Sequence, residues 1–180
     1  RVLRRRPDGY HDLVTCMQTV DLCDQLFLAP APAARFTCTD PALSTGPDNL
    51  VQRALALFAA EVAALPPLRV HLIKRIPMGA GLGGGSADAA AALRAANRLC
   101  GAPCGWERLR ALGARLGSDV PFLITGGTAL ARGRGEVLEP LRWQGTFSYV
   151  LASPPVHVET RWAYAALDAH LTERDEAPSL

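Results

Sequence analysis

Hydrophobic and polar residues alternate along several stretches of this 180-residue chain, and other stretches place hydrophobic residues three and four positions apart. The first pattern predicts half-buried strands and the second predicts amphipathic helices. The predicted strands cover residues 13–20, 68–73, 128–131, 137–141 and 147–152, and residues 24–36 are predicted as strand, turn and strand. The predicted helices cover residues 50–64, 86–100, 106–116 and 159–170. Strands that alternate with helices predict an α/β fold.

Residues 77–92 interrupt this pattern, because five glycines fall between Gly79 and Gly85 and leave almost no side chain to bury. Glycine lets backbone N–H groups approach an anion closely, and the helix predicted after the loop adds the positive end of its dipole. A phosphate site is therefore predicted here. Ser86 is predicted as the N-cap or first helical residue, and Asp88 as a first-turn carboxylate that complements the dipole. The alternative for Ser86 is a hydroxyl that faces phosphate or Mg²⁺.

Two common phosphate-binding motifs do not fit this loop. The P-loop requires a lysine directly after its glycines, and none is present. The dinucleotide fingerprint requires an acidic residue on a second strand about twenty residues further on, where this chain predicts a helix.

Asp119 is the candidate catalytic residue, because it follows a Gly-Ser turn and precedes the apolar residues 120–124. A short turn and apolar surroundings suit a general base, although an aspartate in this setting also serves as an N-cap or turn residue. Tyr10 and His11 follow the turn pair Asp8-Gly9, where side chains can reach a ligand. Ordinary surface or half-buried residues are the alternative for both.

Composition excludes several classes of protein. The net charge of +2 gives no footprint for nucleic acid or a membrane surface, and no apolar run is long enough to span a bilayer. The five cysteines lack the spacing of a zinc site, so a reduced cytosolic setting is expected.

Lys74, the only lysine, ends a predicted strand beside the glycine loop. It either meets phosphates or a nucleotide there, or is a solvated strand end.

Several strings in this order resemble one enzyme family. The string Pro-x3-Gly-Leu-Gly-Gly-Gly-Ser at residues 77–86 is similar to the nucleotide-phosphate loop of the galactokinase, homoserine kinase, mevalonate kinase and phosphomevalonate kinase (GHMP) family. The other strings resemble the branch of that family which acts on 4-diphosphocytidyl-2-C-methyl-D-erythritol in non-mevalonate isoprenoid biosynthesis. They are DGYH at residues 8–11, DNL at 48–50, KRIP at 74–77, GSDVP at 117–121 and ARGRGE at 131–136.

The resemblance implies a kinase domain of the ribosomal-protein-S5-domain-2-like type in residues 1–145, and the start of a ferredoxin-like domain in residues 146–180. It implies transfer of the γ-phosphoryl group of ATP, with Mg²⁺, to the C2 hydroxyl of the substrate. Asp119 would be the base and substrate contact, and Ser86 would lie near Mg²⁺. Tyr10 and Tyr164 would sandwich the cytosine, and His11 would bond its edge. The implied ATP contacts are Asn49, Lys74, Pro77, Gly79, Gly81, Leu82, Gly83, Gly84, Gly85 and Ser86.

Two departures from the family pattern affect the expected activity. The chain lacks the family's first strand with its Lys-x-Asn string, and it lacks the family's second glycine-rich motif. The chain is therefore expected to be part of a bacterial, cytoplasmic kinase, monomeric or homodimeric, and weakly active or inactive by itself. One alternative is a homoserine or mevalonate kinase, whose substrates have no base to stack on Tyr10. The other is a nucleotide-binding module without chemistry.

Overall fold

The computed structural model describes residues 1–142, 145–154, 158 and 160–168. The elements, in chain order, are β1 (Val2–Arg5), β2 (His11–Gln18), β3 (Gln25–Pro30), β4 (Arg35–Cys38), α1 (Leu50–Glu61), β5 (Leu68–Ile73), α2 (Gly84–Leu99), α3 (Trp106–Ala114), α4 (Val120–Thr125), β6 (Thr128–Gly133), β7 (Val137–Pro140) and α5 (Thr160–Asp168). This order of strands and helices confirms the predicted α/β class. The strands and helices form two compact units. One unit contains residues 19–126, and the other contains residues 1–18 together with the chain from residue 127 onward. The boundary near residue 145 stays a prediction.

The unit of residues 19–126 is a three-stranded sheet with helices packed on it. Its strand order is β3-β5-β4, with β3 antiparallel and β4 parallel to β5. A parallel neighbour requires a long crossover, which α1 supplies between β4 and β5. Leu68, Val70 and Leu72 of β5 are buried and alternate along the strand, as the sequence predicted. Leu68 and Val70 belong to the same hydrophobic core as the fully buried Phe58 and Leu93. This core holds the end of β5 and the start of α2 in place.

The other unit is an antiparallel sheet of order β1-β2-β6-β7, together with α5. The predicted Asp8-Gly9 turn is confirmed between β1 and β2. Gly9 takes a φ of +83°, a conformation that glycine adopts without a Cβ clash, and the Asp8 carboxylate accepts the backbone N–H of Tyr10. The turn therefore presents Tyr10 and His11 at the start of β2. No helix among residues 1–142, 145–154, 158 and 160–168 is long and apolar enough to cross a membrane.

Several predicted boundaries are wrong by a few residues. α1 ends at Glu61 rather than residue 64, because Val62 already leaves helical geometry ahead of the proline pair. α2 begins at Gly84, because Gly83 takes a left-handed conformation and serves as N-cap. The prediction that Ser86 is the N-cap or first residue is therefore wrong, since it is the third helical residue. The placement of Asp88 in the first turn is wrong for the same reason, and its carboxylate is buried.

The predicted strand at residues 147–152 is also wrong. These residues form no strand, and the hydrophobic side chains of Tyr149, Val150 and Leu151 are exposed. A strand needs a hydrogen-bonded neighbour and a covered face, and no strand that the structure describes pairs with this segment. Helix α5 confirms the predicted helix over residues 160–168, and positions 159, 169 and 170 of that prediction lie outside the described residues.

Candidate active site

The glycine loop connects β5 to α2 and takes an unusual backbone shape. Gly79, Gly81 and Gly83 have φ values of +70°, +70° and +68°, which side chains other than glycine rarely adopt. Gly83, the N-cap of α2, makes no side-chain capping bond. The first N–H groups of α2 are thus available to an anion at the positive end of the helix dipole. This geometry matches the phosphate site that the sequence predicted.

A cavity of about 330 Å³ opens over this loop. The predicted ATP contacts other than Ser86 all line it, so residues from two separate stretches of the chain, 43–50 and 74–88, meet here. Asp88 of α2 also lines it, and so do Leu43, Ser44 and Asp48, which lie before α1 and were not predicted as site residues. The Ser44 hydroxyl donates to the Asp48 carboxylate at 2.7 Å. Apart from the DNL string, which contains Asp48, their signal was the polar, turn-rich composition before α1, and this does not distinguish a ligand-facing turn from a solvated one.

Asn49 sits at the N-cap of α1, directly before the helix that the sequence predicted from residue 50. Its Oδ1 atom accepts the N–H of Val51 at 2.8 Å, and its Nδ2 atom donates to the Ser44 carbonyl at 2.6 Å. The side chain is 8% exposed. These bonds fix the wall of the cavity, and a direct contact between Asn49 and adenosine stays a prediction.

Lys74 lies in a buried ion-pair cluster below the loop. Its Nζ atom donates to Asp24 Oδ2 at 2.5 Å and to Asp88 Oδ2 at 2.9 Å. The three side chains are only 4–6% exposed. The interpretation of Lys74 as a solvated strand end is therefore wrong. Sequence reasoning missed the two carboxylates as partners, because Asp24 is fifty residues away in the chain and Asp88 was assigned to helix capping.

The two carboxylates of this cluster differ in their affinity for a proton. Burial raises the pKa of Asp88 to about 6, against the partial compensation from Lys74. Asp24 is also penalised by burial, but the N–H groups of Arg75 and Ile76 and the Lys74 ammonium outweigh it and lower its pKa. Burial works to lower the pKa of Lys74, and its two carboxylate partners overcome this and raise it. The cluster is thus a tight Lys74–Asp24 pair with a second, more weakly ionised carboxylate.

Asp119 occupies the N-cap position of α4 but makes no capping bond with its side chain. The Ser118 hydroxyl donates a long hydrogen bond to the carboxylate, at 3.4 Å. The partly buried carboxylate is therefore not consumed by the capping role that the sequence left open. Pro121 fits the start of α4, where its missing N–H has no partner to lose.

The turn that carries Asp119 packs against the glycine loop. A Cβ atom built on Gly117 would lie 3.8 Å from Ser86 Oγ, and one built on Gly83 would lie 3.6 Å from Leu123 of α4. Ser86 is thus on the side of α2 that faces the Gly117-Ser118-Asp119 turn. The structure brings the phosphate-loop geometry and the candidate base together within one unit.

Tyr10, His11 and Tyr164 belong to the other unit. The Tyr10 ring is 57% exposed, with the Arg134 guanidinium 4.8 Å from its centre. His11 is buried, stacks on Tyr164 at 4.6 Å, and places Nε2 at 2.5 Å from Asp168 Oδ1. The sequence analysis missed Asp168 and Arg134 as neighbours of these rings. In this structure Tyr164 therefore packs on His11, whereas the sandwich of Tyr10 and Tyr164 around a base stays a prediction.

Comparison with known proteins agrees with the geometry. Residues 49–127 match the family model of the GHMP kinases N-terminal domain. Curated 4-diphosphocytidyl-2-C-methyl-D-erythritol kinases from Geobacter sulfurreducens and Gloeobacter violaceus are 45% and 39% identical over 92% and 98% of this chain. The matches cover 60% and 59% of those relatives, so the chain spans a little over half of their length.

Solved structures give the same result. A crystal structure of 4-(cytidine 5'-diphospho)-2C-methyl-D-erythritol kinase is 42% identical, with a TM-score of 0.65 over 78% of this chain and 50% of that one. A homoserine kinase from Cytophaga hutchinsonii, 20% identical with a TM-score of 0.62 over 87% of this chain and 52% of that one, shares the fold. The glycine loop, the fold and these relatives together show that the chain belongs to the GHMP kinase family.

Proposed function

We propose that this protein uses ATP to phosphorylate the C2 hydroxyl of 4-diphosphocytidyl-2-C-methyl-D-erythritol, a step of non-mevalonate isoprenoid biosynthesis. The observation that carries the kinase part is the cavity over the glycine loop, with the Asp119 turn packed beside it at Ser86. The substrate part is supported by the names of the curated relatives and by their 39–46% identity to this chain. The DGYH turn supports it further, because an exposed Tyr10 ring suits a pyrimidine base.

The glycine loop would hold the phosphates of ATP. The uncapped N–H groups at the start of α2 donate to the phosphate oxygens, and the helix dipole favours their charge. Lys74 and Asn49 lie at the cavity wall and shape the space for the nucleotide. Phosphoryl transfer needs little covalent help from the protein, so such positioning and charge stabilisation supply most of the catalysis.

Asp119 would act as the general base. Its carboxylate makes no capping bond, so it can orient the acceptor hydroxyl and take up its proton. The turn holds the carboxylate on the side of the glycine loop where Ser86 is found. A base fixed in this way would hold the acceptor oxygen in line with the γ-phosphate.

The residues present fit a nucleotide-bound Mg²⁺. This ion takes oxygen ligands and is often held by one or two side chains together with substrate phosphates. Ser86 supplies a hydroxyl and Asp119 a carboxylate on neighbouring segments. When bound, Mg²⁺ neutralises charge on the phosphates.

The cytosine side would be formed by Tyr10 and His11. A base can stack on the exposed Tyr10 ring, where Arg134 is also available to the diphosphate. His11 is held in a fixed orientation by Tyr164 and Asp168, so it can present its edge to the base.

We place the protein in the bacterial cytoplasm, because the curated relatives are bacterial and all five cysteines are free thiols.

A direct test offers labelled ATP to the complete protein with three acceptors in parallel. These are 4-diphosphocytidyl-2-C-methyl-D-erythritol, homoserine and mevalonate. We expect transfer to the cytidyl compound alone, since the other two have no base for Tyr10. Transfer to homoserine or mevalonate would contradict the substrate, and no transfer to any acceptor would contradict the kinase activity.

A further inference from the structure

A single lysine links three separate elements below the glycine loop. Lys74 at the end of β5 donates to Asp24, which precedes β3, and to Asp88 on α2. The side chains of all three are nearly inaccessible to solvent. A buried charge cluster is costly to form and is seldom retained for stability alone. The location of the cluster in the fold therefore indicates its role better than its contribution to stability does.

The cluster holds both ends of the glycine loop. Asp24 Oδ1 accepts the backbone N–H groups of Arg75 at 2.5 Å and Ile76 at 2.9 Å, the last two residues before Pro77. Asp88 lies in α2, just beyond the other end of the loop. Because Lys74 bonds both carboxylates, the two ends of the loop are tied to one ammonium group. The loop between them contains glycines in left-handed conformations and has little side-chain packing of its own.

We propose that Asp24, Lys74 and Asp88 are positioning residues that set the shape of the phosphate-binding loop and thereby its affinity for ATP. This inference rests on the proposed function, because it assigns the cluster to the same nucleotide site. It also gives Lys74 a different role from the one that the sequence suggested. The ammonium acts on the nucleotide through the loop, and its carboxylate partners are as necessary as the lysine.

The decisive comparison is between two changes at Asp88 in the complete protein. Asp88→Asn keeps an oxygen that accepts from Lys74, whereas Asp88→Ala removes it and releases the exit of the loop. We expect Asp88→Ala to raise KM for ATP by about ten- to a hundredfold, as small misplacements of a binding group do. KM for the acceptor should stay within about twofold, because the core around the loop is unchanged. Asp88→Asn should restore most of the ATP affinity.

A matched control removes an ion pair elsewhere in the same unit. Glu61 bonds Arg115 at 2.8 Å on the surface, so Glu61→Gln loses a pair without touching the loop. It should leave both KM values unchanged. Circular dichroism and unfolding midpoints of every variant show whether the fold is retained. If Asp88→Ala does not fold, Asp24→Ala decides in its place, because Asp24 anchors the entry of the loop and is not among the residues that line the cavity.

The outcomes separate this proposal from the proposed function. If the unchanged protein neither binds an ATP analogue nor transfers phosphate, the proposed function fails. If it does both and a folded Asp88→Ala protein keeps the original KM for ATP, the positioning role is wrong and the kinase assignment stands. Equal increases in both KM values, or no recovery with Asp88→Asn, would equally overturn it. Loss of ATP affinity in Lys74→Met but not in Asp88→Ala would overturn it in favour of a direct contact between Lys74 and the nucleotide.

Discussion

The first residue of α2, Gly84, lies directly against the ammonium group of Lys74. A Cβ atom on Gly84 would be 3.0 Å from Lys74 Nζ and 2.9 Å from Ile76 Cγ2. Real Cβ atoms are rarely found this close to their neighbours. Gly84 is thus required by close packing between the loop, the helix and the buried cluster, and not only by loop flexibility.

Gly84→Ala is therefore expected to weaken nucleotide binding. The added methyl group must displace Ile76 or Lys74, at a cost of about 1–3 kcal/mol for overpacking. Isothermal calorimetry with an ATP analogue, together with urea unfolding, measures both effects. Gly105→Ala is the matched control, since a Cβ there meets nothing within 4 Å and its φ is −74°. Equal affinities in the Gly84→Ala and Gly105→Ala proteins would show that the close packing does not matter.

Replacing Asp119 by asparagine should abolish most of the turnover while leaving the fold intact. The amide cannot accept the proton of the acceptor hydroxyl, and general-base catalysis contributes about a hundredfold to ten-thousandfold. Stability should change little, because the carboxylate makes no capping bond with α4. The measurement is kcat together with the thermal midpoint. Ser118→Ala, which removes the hydroxyl that donates to this carboxylate, is the control and should keep most of the turnover. Full turnover in Asp119→Asn would exclude Asp119 as the base.

Because of Asp88, the free energy of unfolding should decrease as the pH rises from about 4 to about 6. Its pKa is raised in the folded protein to about 6, so the folded state binds a proton more tightly than the unfolded chain in that window. A shift of this size corresponds to at most about 3 kcal/mol. Asp24 acts in the opposite sense, because its lowered pKa contributes stability that is lost only below about pH 4.

Urea unfolding at pH 5 and pH 7 measures this dependence. The unchanged protein should lose more free energy of unfolding between these pH values than Asp88→Asn, which has no proton to bind. Titratable groups that do not contact Asp88 cancel in the comparison. The same pH dependence in the two proteins would show that Asp88 does not titrate in this window.

The parts of this fold that the sequence predicts are those set by neighbouring residues. The alternation of residues 68–73, the five glycines and the helix after them are local signals, and the structure confirms each of these elements. The start of α1 at Leu50 was predicted correctly, because an N-cap residue such as Asn49 acts within three positions of itself. The glycine-loop residues that line the cavity followed from the same local motif, whereas Leu43 and Ser44 did not.

What the sequence could not predict depends on residues far apart in the chain. Asp24 is an ordinary polar residue before a strand until the fold brings it to Lys74. Residues 147–152 have the pattern of a buried strand, but no neighbouring strand that the structure describes accepts their hydrogen bonds. The start of α2 moved from Ser86 to Gly84 because Gly83 takes a left-handed conformation, which composition alone does not reveal.

Tyr10→Ala should raise KM for the cytidyl substrate without affecting KM for ATP. The Tyr10 ring is exposed at the end of the Asp8-Gly9 turn, and stacking of a base on an aromatic ring is worth about 1–3 kcal/mol, or roughly ten- to a hundredfold in affinity. Steady-state kinetics with each substrate varied in turn measures the two constants. Tyr149→Ala removes another exposed tyrosine and should change neither. If Tyr10→Ala and Tyr149→Ala have the same KM for the cytidyl compound, Tyr10 does not hold the base, and His11 becomes the residue to test next.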